Sequence, residues 1–421
     1  MNWKKLAAAS LILPSLMGVG DFMIDKKVSA EVIQIENILS VTGIAEVYGD
    51  GEKISCAILE YPKKINSKSV SVKSFEVEGK IIKSAKADKN TVILKFENVN
   101  TAFDGALNFN PKRPKNESAH SGDAPMRSDR KLPNLNFTVK QIDTISAVDG
   151  TEFLPSEKAV TKISAPAIEK FRQFTYTDKN GNSMPYNLYL PENYDANKKY
   201  PLLFFVADAS ANINEVTTPL FQGNGATSFL DKNCIILAPQ YTSDLVEKIG
   251  MMTTDENIWT DGLDLVTELL FDVIENYSVD KNRIYGTGQS QGGMTNIAIS
   301  DKYPELFAAQ LLVACQWNVD EMEVLKNKNL WIVVCEGDTK AFPGMNDAVA
   351  RWEKLGAKVA RNENFWNSKA SISELNKQVK NIEQQRANIN YTVFAGGNHM
   401  YTWSFTYNID ALRDWLFKQK K

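Results

Sequence analysis

Residues 286–294 read GTGQSQGGM and directly follow NRIY. Gly286, Gly288, Gly292 and Gly293 crowd around one serine, Ser290. Glycine loses more conformational freedom on folding than any other residue. Such a cluster therefore marks backbone that must go where side chains forbid it. NRIYG reads as a buried strand and GGMTNIAISDKYP as the opening of a helix, so the cluster falls on a strand-to-helix turn. Within it, Gly288-Gln289-Ser290-Gln291-Gly292 is G-x-S-x-G. The bare pattern is weak. Its place between strand and helix is informative, because a sharp turn there lifts a serine above a sheet edge. The competing reading is a plain glycine-rich turn with a solvent-facing serine.

The surroundings supply the sheet. YPLLFFVAD, NCIILAPQY, AAQLLVACQ, NLWIVVCEG and NYTVFAG are continuous apolar runs, the pattern of strands covered on both faces. Between them lie helical segments. In 258–277, Leu263, Val266, Leu270, Val273, Ile274 and Tyr277 share one helical face. Alternating buried strands and helices predict a mostly parallel α/β sheet flanked by helices. FRQFTYTDKNGNSMPYNLYLP predicts a leading hairpin turning at Asn180-Gly181.

A serine needs a base, and the chain has two histidines. His120 lies in a polar, proline-rich stretch, whereas His399 in FAGGNHMYTW follows the last buried strand. Chain order Ser, acid, His then asks for a carboxylate between 290 and 399. Asp338 closes NLWIVVCEGD; Glu336 and Asp347 compete. An oxyanion could be received by the N–H of Gln291, at the start of the helix after Ser290. A second donor is expected in the loop after YPLLFFVAD, at Asp208 or Ala209. The His-Gly-Gly stretch common there is missing. Asp208 reads either as a turn cap or as a group disfavouring acidic substrates.

Residues 31–150 read as β. Short alternating runs separated by Gly, Asn, Asp and Lys turns predict a small sandwich, interrupted at 110–134 by an exposed polar insert that holds His120. Residues 151–169 read as a linker and 170–421 as the α/β domain. Residues 1–30 combine two early lysines, a short apolar run and Val28-Ser29-Ala30, which predicts a secretory signal peptide and an extracytoplasmic protein. No other segment suggests a membrane span. With a net charge of −3 no basic face is implied, so nucleic acid is not an expected partner. Cys234, Cys315 and Cys335 sit in apolar runs and, with Cys56, read as free thiols rather than a disulfide framework. Metal-ligand spacing is absent.

At this point the chain resembles a known group. The C-terminal 250 residues or so resemble the α/β-hydrolase superfamily. The closest similarity is to secreted esterases and prolyl-oligopeptidase-like or polyhydroxybutyrate-depolymerase-like hydrolases with an N-terminal immunoglobulin-like domain. DASANINEVTTPLFQGNGAT, RIYGTGQSQGGM, EGDTKAFPGMN and GGNHMYTWSFTYNIDALRDWLF carry the similarity. YGDGEKISCAILEYPKKINSKSVSVKSFEVEG resembles that domain. The resemblance implies an α/β-hydrolase fold preceded by an immunoglobulin-like sandwich. It also implies Ser290 as nucleophile, Asp338 as acid and His399 as base. One departure stands out. Many relatives carry the acid as the second Asp of an HGDxD-type stretch, where this chain has Lys340.

The expected activity is that of a secreted serine hydrolase, a carboxylesterase acting through an acyl-enzyme on a small-molecule ester without a cofactor. The alternatives are a serine peptidase of prolyl-oligopeptidase type acting on peptides, and a polyester depolymerase. The latter would want an exposed aromatic surface, to which Trp259, Trp317 and Trp403 could contribute, with Trp317 and Trp403 as candidate substrate contacts. A reading from another class is a non-catalytic surface or carbohydrate-binding protein on a hydrolase scaffold.

Overall fold

A computed structural model describes residues 37–98 and 132–421. The expected signal peptide at 1–30, His120 and all but the end of the 110–134 insert lie outside the described residues.

The first part of the chain is all β. Strands β1 (Ser40–Tyr48) and β2 (Gly51–Glu60) form a hairpin. They join β4 (Ile82–Asp88), β5 (Thr91–Phe96) and β10 (Lys162–Ser164) in a five-stranded sheet of order β10-β1-β2-β5-β4. A second sheet, β3-β6-β9, is built from Phe75–Val77, Thr138–Gln141 and Ser156–Ala159. Between β6 and β9, β7 (Ile145–Ser146) and β8 (Glu152–Phe153) form a short hairpin. Alternate residues face inward: Val41, Leu59 and Leu94 from one sheet pack in one core with Phe75, Val77 and Val139 from the other. The expected linker at 151–169 is corrected here. β9 pairs with β6 and β10 runs parallel to β1, so this segment completes both sheets. Its strands are short and half polar because each has one solvated face, which hides them from an apolar-run criterion.

The α/β part is a nine-stranded sheet. Its strands are β11 (Arg172–Thr177), β12 (Ser183–Tyr189), β13 (Tyr200–Val206), β14 (Ile235–Pro239) and β15 (Val279–Gln289), then β16 (Ala309–Val313), β17 (Leu330–Cys335), β18 (Val359–Arg361) and β19 (Ile389–Phe394). Their order is β11-β12-β14-β13-β15-β16-β17-β19-β18. β11 and β12 are antiparallel; from β14 onward all neighbours are parallel. The first hairpin turns at Asn180-Gly181 as expected: Gly181 has φ +79°, and Asp178 Oδ1 accepts the N–H groups of Asn180 and Asn182.

The described helices are α1 (Thr218–Phe221), α2 (Ser243–Ile249), α3 (Asp261–Asn276), α4 (Gln291–Lys302), α5 (Ala341–Lys354), α6 (Ile372–Glu383), α7 (Tyr401–Thr406) and α8 (Asp410–Lys418). They cover both faces of the sheet. β13 shows why its run is continuously apolar: Leu202, Phe204 and Val206 enter one core with α3, α4 and α5, while Leu203 and Phe205 enter the other with α6 and α8. α3 begins later than its apolar pattern suggests, because the Thr260 hydroxyl caps it by accepting the Leu263 N–H. Tyr277 is already extended and lies beyond its end.

The two parts touch closely. Gly49, at the tip of the β1–β2 hairpin, is buried, and a β-carbon there would lie 1.9 Å from the carbonyl oxygen of Ser404 in α7. Only a glycine permits that approach.

Candidate active site

β15 is a central strand and ends at Gln289, where the chain breaks sharply into α4. The break is at Ser290 itself, with φ 52° and ψ −121°. A non-glycine residue there is strained, at a cost of order 1–3 kcal/mol. The conformation is held by Ser290 N–H donating to Val313 O at 3.0 Å and Ser290 O accepting from Met294 N–H at 2.9 Å. The flanking glycines have another task. A β-carbon on Gly292 would lie 1.8 Å from Val206 O, and one on Gly288 would lie 2.5 Å from the same atom. The cluster therefore lets the turn nest against the end of β13.

Ser290 sits at the cap position of α4, yet its side chain makes no capping bond. Its Oγ lies 2.8 Å from His399 Nε2, and His399 Nδ1 lies 2.5 Å from Asp338 Oδ2. The three groups follow β15, β19 and β17, all at carboxyl ends of parallel strands, where open α/β sheets gather their sites.

Asp338 is only 1% exposed. Its Oδ1 accepts the N–H groups of Lys340 at 3.1 Å and Ala341 at 2.9 Å, at the entrance of α5. That leaves Oδ2 for the imidazole. Burial pushes the Asp338 carboxyl up. The hydrogen bond and charge of His399, with the Ala341 and Lys340 amides, outweigh it and hold the group below its usual range. Its competitors are placed elsewhere. Glu336 is exposed rather than part of the buried strand, and its Oε2 accepts the Gly396 N–H at 2.9 Å. Asp347 is exposed on α5.

The turns carrying Asp338 and His399 are tied to each other. Gly337 N–H donates to Gly396 O at 3.1 Å, and the Cys335 thiol donates to Asn398 O at 2.8 Å. Burial pushes that thiol up to about 11, so it stays a protonated donor. Trp403 in α7 sets its ring 5.3 Å from the imidazole at 89°, edge to face.

Gln291 opens α4, so its N–H has no partner in the preceding turn. The next residue, Gly292, abuts Val206 and Ala207, so the start of α4 lies beside the loop after β13. Among the described residues, neither the Asp208 nor the Ala209 N–H donates to a backbone acceptor. Asp208 is buried, and its Oδ1 accepts the Ser210 N–H at 2.9 Å, capping the one-turn 3-10 helix Ala209–Ala211. The structure thus uses it as a turn cap.

The expected aromatic surface is corrected. Trp317 and Trp403 are each 4% exposed. Trp317 packs beneath the sheet and donates to Glu321 Oε2 at 2.8 Å, and Trp403 supports His399. Trp259 is half-buried, with Lys302 Nζ 3.8 Å from its ring centroid. Sequence reasoning missed two polar residues, Asn212 in the loop after β13 and Gln240 just past β14. Their amides carry no motif and become legible only through their partners. Among the described residues no group of three or more His, Cys, Asp or Glu is placed to hold a metal ion. No helix among them is long and apolar enough to cross a membrane.

Residues 40–154 match the family described as "Esterase Ig-like N-terminal domain" and residues 178–411 match the family described as "Putative esterase". The second match spans more than half of the chain, and the protein belongs to that esterase family: it is a serine hydrolase of carboxylic esters. Among solved structures it is similar to a thermostable esterase, with 22% identity and a TM-score of 0.68 over 91% of this chain and 100% of that one. It also matches a feruloyl esterase module from Clostridium thermocellum solved with sinapinate (15% identity, TM-score 0.39, 60% of this chain and 89% of that one). A third match is S-formylglutathione hydrolase from Staphylococcus aureus (12% identity, TM-score 0.39, 58% and 98%). No curated protein matches the chain.

Proposed function

We propose that the protein is a secreted carboxylesterase in which Ser290, His399 and Asp338 act as a catalytic triad through an acyl-enzyme. The supporting observation is the continuous hydrogen-bonded series from Asp338 Oδ2 through His399 to Ser290 Oγ, at 2.5 and 2.8 Å. Nδ1–H donates to the carboxylate, which leaves the Nε2 lone pair facing the serine hydroxyl. Ser290 Oγ attacks the ester carbonyl as Nε2 takes its proton. The oxyanion is received by the N–H groups of Gln291 and of Asp208 or Ala209. Collapse expels the alcohol, which takes the proton from Nε2. Water then attacks the acyl-enzyme, giving its proton to Nε2, and the carboxylic acid leaves as Ser290 regains its hydrogen.

The domain assignment follows the same reading: a signal peptide at 1–30, an immunoglobulin-like module, then the hydrolase domain. The substrate is a small-molecule ester. A panel of p-nitrophenyl esters of rising chain length beside aminoacyl anilides tests the reaction, with fluorophosphonate labelling mapped by peptide mass. Ester turnover with label on Ser290 is the expected result. Anilide turnover without ester turnover would replace the esterase reading by the peptidase one, and no label at Ser290 would sink both. Secretion is tested by sequencing the N-terminus of protein recovered outside the cytoplasm, where cleavage near residue 30 is expected.

A further inference from the structure

The loop after β13 lacks the glycines that commonly shape an oxyanion-binding loop, yet it follows a tightly prescribed path. The first turn is 3-10, with Ala211 N–H on Asp208 O at 3.0 Å and Asn212 N–H on Ala209 O at 3.2 Å. Then Ile213 N–H donates to Ala211 O at 2.7 Å around Asn212, whose φ −73° and ψ 68° are those of an inverse γ-turn. Gln240, just past β14 and 1% exposed, holds this turn from below. Its Nε2 donates to both flanking carbonyls, Ala211 O at 2.7 Å and Ile213 O at 2.5 Å. Gln240 is itself anchored by its N–H on Pro185 O at 2.8 Å.

The turn presents the Asn212 side chain to α4. Asn212 Nδ2 donates to Gln291 Oε1 at 3.2 Å, and Gln291 Nε2 donates to Asn212 Oδ1 at 3.1 Å. Gln291 is 3% exposed, so this reciprocal amide pair is shielded from water on one side. A buried amide left without partners is costly, so the pair resists opening. Its two members stand on the two segments that supply the oxyanion donors: the loop of Asp208 and Ala209, and the first residue of α4.

We propose that Asn212 and Gln240 are positioning residues that fix the spacing of the oxyanion donors, through the Asn212–Gln291 amide pair, in place of a glycine-shaped loop. The proposal rests on the acyl-transfer reading above. Oxyanion donors act only when set to within a few tenths of an ångström of the developing charge, and a misplacement of 1 Å can cost about a hundredfold in rate. Loss of the pair should therefore weaken transition-state binding and leave substrate binding largely alone.

The test compares Asn212→Ala, Gln291→Met, their double variant and the length swap Asn212→Gln/Gln291→Asn. The readouts are p-nitrophenyl acetate kinetics and inhibition by phenylboronic acid, whose serine adduct is tetrahedral. Each single variant is expected to lower kcat about ten- to a hundredfold. KM should stay within about twofold, and boronate affinity should fall by a factor similar to that in kcat. The double variant should lose no more than either single one, and the swap should recover much of the loss. Wild-type kcat and boronate affinity in both single variants would overturn the proposal, as would a rise in KM at constant kcat. A wild-type protein that takes no fluorophosphonate on Ser290 would instead overturn the acyl-transfer reading beneath it.

Discussion

Asp338 and His399 meet across the ends of two neighbouring parallel strands, and each reaches the contact from a turn already bonded to the other's turn. Asp338 has no freedom to retreat, because its second oxygen is occupied by two backbone amides. Asp338→Asn should therefore fold, but present an amide to Nδ1 and leave the imidazole in the wrong tautomer. We expect kcat to fall by up to about ten-thousand-fold. Glu336→Gln, at an exposed residue that only accepts the Gly396 N–H, should lose less than about threefold in kcat. Asp347→Asn should be silent. Steady-state kinetics of the three variants, with thermal melts, make the comparison. An inactive Asp347→Asn beside an active Asp338→Asn would move the acid to α5.

The depressed Asp338 carboxyl has a pH signature. Its folded-state value lies below its unfolded one, so its contribution to stability is full above the unfolded value and is lost as pH falls through the folded one. The stability gap between wild type and Asp338→Asn should therefore close as pH falls below the ordinary carboxylate range. Asp338 stays ionised down to below the ordinary carboxylate range, so the acid limb of the rate profile should not report Asp338. Urea melts and kcat/KM profiles taken together check this. A gap that stays fully open well below the carboxylate range would contradict it.

Ser290 combines function with strain. Ser290→Ala should lose about a million-fold in kcat while its melting temperature stays near wild type. Ser290→Gly should be equally inactive yet more stable, by about 1 kcal/mol, because glycine accepts φ 52° without steric cost. Calorimetry on the pair separates the two effects. A glycine variant no more stable than the alanine one would mean that the turn stores no strain.

Asp301, near the end of α4, is a liability away from the site. Both its carboxylate oxygens are buried with no hydrogen-bond partner, and burial, then the charge of Glu321, pushes its value from 3.8 up to about 8. Here the folded-state value is raised, so stability is lost progressively as pH rises above the unfolded value and the loss levels off above about 8. Asp301→Asn should melt like wild type near pH 4 and above it at pH 8. Parallel melting curves across that range would refute the assignment.

Much of the α/β part was legible because its signals are local. Continuous apolar runs marked the strands that two cores enclose. The glycine cluster marked the turn at Ser290, and the position of His399 after the last strand placed it at the same sheet edge, within hydrogen-bond reach of that serine. Other features depend on distant partners. β9 and β10 are short, half-polar strands whose identity comes from β6 and β1, and so 151–169 resembled a linker. Trp317 and Trp403 offered aromatic area but no statement of which side of the sheet would hide it. Asn212 and Gln240 are common polar residues, and only their hydrogen-bond partners across the fold single them out.

The hairpin tip at Gly49 seats the N-terminal module on the hydrolase domain. Its backbone is seated on Ser404, one residue after the tryptophan whose ring packs against His399. A hydrolase domain cut free of residues 40–164 would expose the bed of that hairpin at Ser404 in α7. A foreign β module spliced in its place would fit only if it brought a turn with no side chain at that point. A side chain at position 49 would have to displace the backbone of a helix more than 350 residues further along the chain.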